Sequence, residues 1–206
     1  MILVALVIFL LVVVFSYFIY FFCKRVIYKL NRRVLARNLA VLKNGPAMQN
    51  YNNLTVDEIR ERLIVPFFLV LGYNTYDSRE FKRIAKFNDI TADYVTKKWN
   101  KSKLCKRSLY IKYINFNESD IDLEKQNFNG KINLDELMDK MYFKGEYYIL
   151  TNGYIYLFYS APHISGSKKF DFCFNVKSFS KKDISQLAYY TKQYMFLEVA
   201  DVFVNY

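Results

Sequence analysis

The sequence Tyr147-Tyr-Ile-Leu-Thr-Asn-Gly-Tyr-Ile-Tyr-Leu-Phe-Tyr-Ser160 decides the fold class of this chain. Two segments rich in aromatic and β-branched residues, 147–151 and 154–160, flank the dipeptide Asn152-Gly153. Such segments favour strands, and Asn-Gly between two of them is a strong signal for a hairpin turn. We therefore predict a pair of antiparallel strands here, inside a folded domain.

Further strands and helices are predicted on both sides of this hairpin. Alternating polarity predicts a strand over 109–116, and 170–176 predicts another. Two short segments near 80–87 and 91–97 have no assigned type. Helical spacing of apolar residues predicts helices over 55–71, with a kink at Pro66, over 134–141, and from Ser180 onward. This order predicts a mixed α/β domain over residues 55–206.

The N-terminal segment is unusually apolar. Residues 2–22 carry no charge and, tyrosines aside, one polar residue, Ser16. About 20 apolar residues in a helix cross a bilayer core of about 30 Å. A cleaved signal peptide would need a basic start and a shorter apolar run. The sequence therefore predicts a single N-terminal transmembrane helix over residues 1–23, followed by the mixed α/β domain.

Charge divides the rest of the chain. The net charge is +11, and seven basic residues fall between positions 24 and 43 with no acidic residue before Asp57. The other 23 basic residues face 19 acidic ones. By the positive-inside rule we expect the N-terminus outside and the domain on the cytoplasmic side of the inner membrane. Residues 24–54 are predicted to form a basic juxtamembrane helix and linker that contacts membrane lipid through Lys24, Arg25, Lys29, Arg32, Arg33 and Arg37.

Cysteine and histidine usage excludes several chemistries. Cys23, Cys105 and Cys173 have no metal-ligand spacing, and His163 is the one histidine. Structural zinc sites and histidine-based catalysis need more of these residues in closer patterns. We therefore predict no metal site and no cofactor.

Several motifs resemble a known family. The segments Leu63–Tyr73, Tyr76–Glu80 and Ala92–Val95 resemble the start of the N-terminal nuclease-type domain of type I restriction endonuclease R subunits. Residues 149–159 resemble the second signature of that family. The resemblance covers about residues 55–195 and does not include the N-terminal apolar segment.

The resemblance implies a restriction-endonuclease-type mixed sheet and Mg²⁺-dependent cleavage. Active members hold the ion with an Asp on one strand and a Glu two residues before a Lys on the next. Asp93 matches the Asp and Lys112 matches the Lys, but Tyr110 stands where the Glu belongs. Glu58 could assist Asp93. In the following helix, Glu136 and Lys140 are nearest to the family's Gln and Tyr. We expect Asp93 and Lys112 to be relics of a degenerate site that has lost catalysis.

A basic segment separates the two strands that carry these residues. It contains no acidic residue and could hold a phosphate backbone through Lys97, Lys98, Lys101, Lys103, Lys106 and Arg107. We therefore predict a binding module for DNA or a protein partner at the membrane face, in defence or phage biology. Two alternatives stay open: an active Mg²⁺-dependent endonuclease with a displaced acidic residue, and a structural membrane protein without nucleic-acid affinity. The sequence leaves the oligomeric state open.

Overall fold

The structure is a computed structural model that describes residues 2–87, 90–96, 109–130, 147–160 and 169–192. Within these ranges the main element is a six-stranded mixed sheet with helices. Its strands are β1 (Phe81–Phe87), β2 (Ile90–Thr96), β3 (Leu109–Tyr113), β6 (Tyr147–Thr151), β7 (Ile155–Ser160) and β8 (Phe172–Asn175). The segments β4 (Ile121–Asp122) and β5 (Asn127–Phe128) form a separate two-stranded sheet. The mixed α/β class predicted from the sequence is therefore confirmed.

The large sheet has the order β1-β2-β3-β6-β7-β8. Strands β3 and β6 are parallel, and every other neighbouring pair in this sheet is antiparallel. The predicted strands 109–116, 147–151, 154–160 and 170–176 correspond to β3, β6, β7 and β8. The two segments of unassigned type form β1 and β2. The predicted helix over 134–141 lies outside the described residues.

Helical elements precede and follow the sheet. They are α1 (Ile2–Asn44), α2 (Pro46–Gln49), a 3-10 turn (Tyr51–Asn53), α3 (Val56–Ile59), a π-helical turn (Arg60–Ile64), α4 (Val65–Val70), α5 (Lys181–Leu187) and a second 3-10 turn (Ala188–Tyr190). A further 3-10 turn, Glu118–Asp120, precedes β4. Helix α3 begins with a capping box, in which Thr55 and Glu58 each bind the other's backbone N–H. Ser180 and Asp183 make the same arrangement at α5.

The N-terminal helix corrects one prediction. In the ranges that the structure describes, no helix is both long and apolar enough to cross a membrane. The transmembrane helix predicted over residues 1–23 is therefore wrong. Helix α1 runs unbroken for 43 residues, from the apolar run through the basic segment, where a helix was also predicted, to Asn44. Near its C-terminal end, α1 buries Leu35 and Leu39 in the core of the domain.

Aromatic side chains fill the space between α4 and the sheet. The ring of Phe67 stacks on that of Tyr156 with centroids 3.7 Å apart. The ring of Phe68 packs against that of Phe81 with centroids 5.6 Å apart. Tyr190, after α5, packs on Phe158 at 4.3 Å. Each of these aromatic side chains buries a large apolar surface, and together they hold the helices against the sheet.

The turn between β6 and β7 fixes the position of α3. Gly153 has φ of +102°, and a Cβ built on it would lie 2.5 Å from Cγ2 of Ile59. Asn152 is fully buried, and its Oδ1 accepts hydrogen bonds from the backbone N–H groups of Tyr154 and Ile155. The predicted Asn-Gly signal thus serves the turn and also allows the close approach of α3. Arg60, the residue after Ile59, is brought to the sheet by this contact.

Candidate functional site

Asp93 lies on β2 and has both carboxylate oxygens engaged. Its Oδ1 accepts a hydrogen bond from Nη2 of Arg60 at 2.5 Å, and its Oδ2 accepts one from the backbone N–H of Tyr113 at 2.6 Å. The Nζ of Lys112 lies 3.9 Å from the same Oδ2. Asp93 is only 8% exposed. A metal ion at Asp93 would therefore compete with two hydrogen bonds and two nearby cationic groups.

Arg60 reaches Asp93 from the π-helical turn. Its Nη1 donates to Oδ1 of Asp57 at 3.2 Å, and its guanidinium carbon lies 5.7 Å from the ring centroid of Tyr113. Burial lowers the pKa of Arg60, but the nearby carboxylates of Asp93 and Asp57 more than offset this, so its pKa is raised. The arginine is therefore a fixed cation beside Asp93.

The π-helical turn has a sequence cause. Pro66 has no backbone N–H, and its ring crowds the carbonyl of the residue four positions earlier, Arg62. A wider turn over Arg60–Ile64 ends two residues before the proline, at which the sequence predicted a kink. Such turns are common at functional sites because they redirect one side chain.

The ion pairs extend from Asp93 to the edge of the sheet. Arg83 on β1 lies 2.8 Å from Oε1 of Glu61 and 4.0 Å from Oδ1 of Asp57. Cations and anions alternate along this chain of contacts, with three of each, so the charges cancel. We call it the Asp93 network and define it as Glu61, Arg83, Asp57, Arg60, Asp93 and Lys112.

Strand pairing brings the predicted relic residues together. Tyr94 pairs with Ile111 and Val95 with Tyr110, so the continued register places Asp93 next to Lys112. Tyr110 stacks on Tyr148 with ring centroids 5.5 Å apart and supplies no carboxylate. Two members of the Asp93 network, Asp93 and Lys112, were thus predicted from the sequence to lie together.

Glu58 is placed elsewhere. Its side chain closes the capping box with Thr55 and lies 3.1 Å from Nη2 of Arg62. The hydrogen bond from the backbone N–H of Thr55 is the main reason that the pKa of Glu58 is lowered. Asp57, one residue earlier, is the acid that shares Arg60 with Asp93. The sequence places Asp57 in the first turn of a helix but does not indicate that it would share Arg60 with Asp93.

The donor set does not fit the divalent ion that the family resemblance implies. Mg²⁺ requires several oxygen ligands in octahedral geometry, commonly including one or two free carboxylates. Within the ranges that the structure covers, no group of three or more His, Cys, Asp or Glu side chains could hold a metal ion. Guanidinium groups lie between the carboxylates near Asp93, with Arg60 between Asp93 and Asp57 and Arg83 between Asp57 and Glu61.

The other predicted site residues have different outcomes. Arg33 and Arg37 are exposed on α1 and Arg32 is half-buried, while Lys24, Arg25 and Lys29 belong to α1 in a part whose side chains are not described. The predicted nucleic-acid segment from Lys97 to Arg107 lies outside the described residues, as do Glu136, Lys140 and His163. Binding by these residues stays a prediction.

No protein-family model, curated protein or solved structure matches the chain. The resemblance to the R-subunit nuclease-type domain therefore rests on the motifs alone and stays a prediction.

Proposed function

We propose that this chain binds nucleic acid without cleaving it, as a catalytically inactive relative of nuclease-type domains. The observation that supports the loss of cleavage is that the carboxylate of Asp93 is bound by other groups of the protein. Its two oxygens are used by Arg60, by the backbone of Tyr113 and by Lys112. A hydrolytic site of this kind needs a carboxylate free to bind the metal that activates water.

The net positive charge of the chain favours a polyanionic partner. The chain has 30 basic and 19 acidic residues. Because the six residues of the Asp93 network cancel one another, the excess positive charge lies elsewhere on the protein. An excess of lysine and arginine favours polyanions, and contacts with phosphates release counterions, which makes binding strongly dependent on salt.

The test is a binding titration under metal-free conditions. A fluorescently labelled 30-base-pair duplex is titrated with the full chain in EDTA at several salt concentrations, and anisotropy is measured. We expect saturable binding without metal, with log K falling linearly as log salt concentration rises. Binding only when Mg²⁺ is present would instead favour an active nuclease site. An absence of binding at low salt would contradict the proposal and favour a structural protein without nucleic-acid affinity.

A further inference from the structure

Many of the described basic residues lie in ion pairs, namely Arg60, Arg62, Arg79, Arg83, Lys112, Lys125 and Lys192. Other described basic residues are exposed and have no carboxylate within 4 Å among the residues that the structure describes. Four of these, Arg33, Arg37, Lys82 and Lys169, lie on α1, on β1 and before β8, and the other four are Lys43, Lys177, Lys181 and Lys182. All four lysines are exposed. Their charges are therefore available to a partner.

Lys43 and Lys177 contact aromatic rings, whereas Lys181 and Lys182 lie at the start of α5, which is in contact with α1. The Nζ of Lys43, in the last turn of α1, lies 5.6 Å from the ring centroid of Phe179. Phe179 lies two residues after Lys177 and two before Lys181 in the sequence. Its ring stacks on the fully buried Phe174, with centroids 5.6 Å apart. We call the area formed by Lys43, Lys177, Lys181 and Lys182 the α1–α5 surface.

Lys177 is held by two further rings. Its Nζ lies 3.8 Å from the centroid of Tyr154 and 4.7 Å from that of Tyr51. A ring face attracts an ammonium group without cancelling its charge. The rings therefore restrict the side chain of Lys177 while its charge still attracts an anion. This restriction reduces the entropy that the lysine would lose on binding.

Two acidic residues in or bonded to the elements that carry this surface have hydrogen-bond partners. Asp183 accepts a hydrogen bond from the backbone N–H of Ser180 at 2.7 Å, in the capping box of α5. Glu118 accepts one from Nδ2 of Asn175 at 3.1 Å. The four lysines outnumber these two carboxylates, and neither carboxylate forms an ion pair with them. The α1–α5 surface therefore carries a net positive charge, which suits an extended polyanion.

We infer that the α1–α5 surface binds the phosphate backbone of nucleic acid. The inference rests on the proposed function and assigns the binding to a specific place. Lysine suits this task because it acts as a mobile point charge for phosphate oxygens without requiring a fixed geometry. Such contacts carry no sequence information, so binding at this surface is sequence-tolerant.

The experiment compares two matched double variants of the full chain by duplex anisotropy at several salt concentrations. The test variant is K181E/K182E. Acidic residues in the first turn of a helix interact favourably with its dipole, so α5 is expected to persist. The control variant is K82E/K169E, which makes the same change in net charge. Lys82 is exposed on β1, at the far edge of the sheet, and Lys169 is exposed before β8, whereas Lys177 follows that strand.

For the test variant we expect affinity to fall about tenfold or more near 0.1 M salt, and the salt slope to shrink by about 2, because two phosphate contacts are lost. The control variant is expected to lose less than about threefold, with an unchanged slope, because distant exposed charges are screened. K181Q/K182Q provides a second test variant without reversed charge and should show the same loss of slope.

Each outcome has a distinct meaning. Wild-type binding that falls only in the two test variants supports the inference. If the wild type binds the duplex, and the test and control variants lose affinity equally or not at all, the role of the α1–α5 surface is overturned. The proposed function is then still intact. A wild-type chain that binds no duplex overturns both.

Discussion

Nη2 of Arg60 lies 2.5 Å from Oδ1 of Asp93, in a pair whose side chains are 27% and 10% exposed. The two residues are 33 positions apart and come from different layers of the fold, a helical turn and a strand. A pair so well shielded from water interacts more strongly than one on the surface. The carboxylate that the family resemblance assigns to a metal is therefore held by an internal cation.

The first prediction concerns stability. Asp93→Asn should lower the free energy of unfolding by roughly 2–4 kcal/mol, because it leaves Arg60 partly buried without its counter-charge. The double variant R60Q/D93N should lose less free energy of unfolding than the two single variants lose together. The difference is a coupling energy of about 1–2 kcal/mol. Urea denaturation of the wild type, both single variants and the double variant measures this.

A matched cycle on Arg83 and Glu61 provides the control. These side chains are 54% and 50% exposed and 2.8 Å apart. Solvent screening should limit their coupling to a few tenths of a kcal/mol. Equal coupling energies in the two cycles would contradict the structural role assigned to Arg60 and Asp93.

The second prediction concerns metal binding. Millimolar Mg²⁺ should not change the Tm of the wild type or of R60Q, because one carboxylate is a poor site for this ion. R60Q/Y110E removes the internal cation and supplies the missing acid on the strand beside Asp93. At about ten times its Kd, Mg²⁺ would stabilise that variant by about 1.4 kcal/mol. Differential scanning fluorimetry with and without Mg²⁺ tests this, and a shift in the wild type would contradict the account.

The third prediction concerns α1. Leu39 is fully buried in the domain core, whereas Val41 is 69% exposed on the same helix. Leu39→Ala should destabilise the chain by about 2–4 kcal/mol through lost burial and a residual cavity. Val41→Ala should change stability by less than about 0.5 kcal/mol. Similar urea midpoints for the two variants would show that the end of α1 does not belong to the core.

The fourth prediction concerns pH. The backbone and hydroxyl of Thr55 bind Glu58 and lower its pKa in the folded state. A lowered folded pKa means that this contribution to stability is complete above the unfolded pKa of about 4.3 and is lost as pH falls through the folded value. Thr55→Ala removes the hydroxyl and should raise the pKa of Glu58 part of the way to its ordinary value.

An NMR titration of the side-chain carboxyl carbons measures this change. Asp77 is the internal control, because the hydrogen bond from the Arg79 side chain is the main cause of its lowered pKa. Its pKa should be the same in the wild type and in Thr55→Ala. An unchanged Glu58 pKa in the variant would contradict the capping box.

Strands and turns could be predicted because their signals are local. Alternating polarity in 109–116 and the Asn152-Gly153 dipeptide report on backbone conformation within a few residues. The same logic correctly predicted the cap at Ser180, where Asp183 follows three residues later. The segments that became β1 and β2 lacked a clear alternation, so local pattern assigned no type to them, and only the family resemblance implied a strand at Asp93.

The partner of Asp93 could not be predicted from local pattern. Arg60 meets Asp93 through the packing of α3 on Gly153 and through the wide turn before Pro66, which are properties of the assembled fold. The transmembrane prediction failed for a related reason. It rested on apolar content and flanking charge, whereas the far end of the same helix buries Leu35 and Leu39 in the domain core. Apolar content within a window does not reveal what the far end of a helix contacts.

The most direct test of the central claim is a cleavage assay. The full chain and Asp93→Ala are incubated with supercoiled plasmid DNA and Mg²⁺ or Mn²⁺, and the products are resolved on an agarose gel. Because Arg60 and Lys112 already neutralise Asp93, the account predicts no nicking by either protein beyond that of a buffer control. Metal-dependent nicking by the wild type that Asp93→Ala abolishes would contradict it.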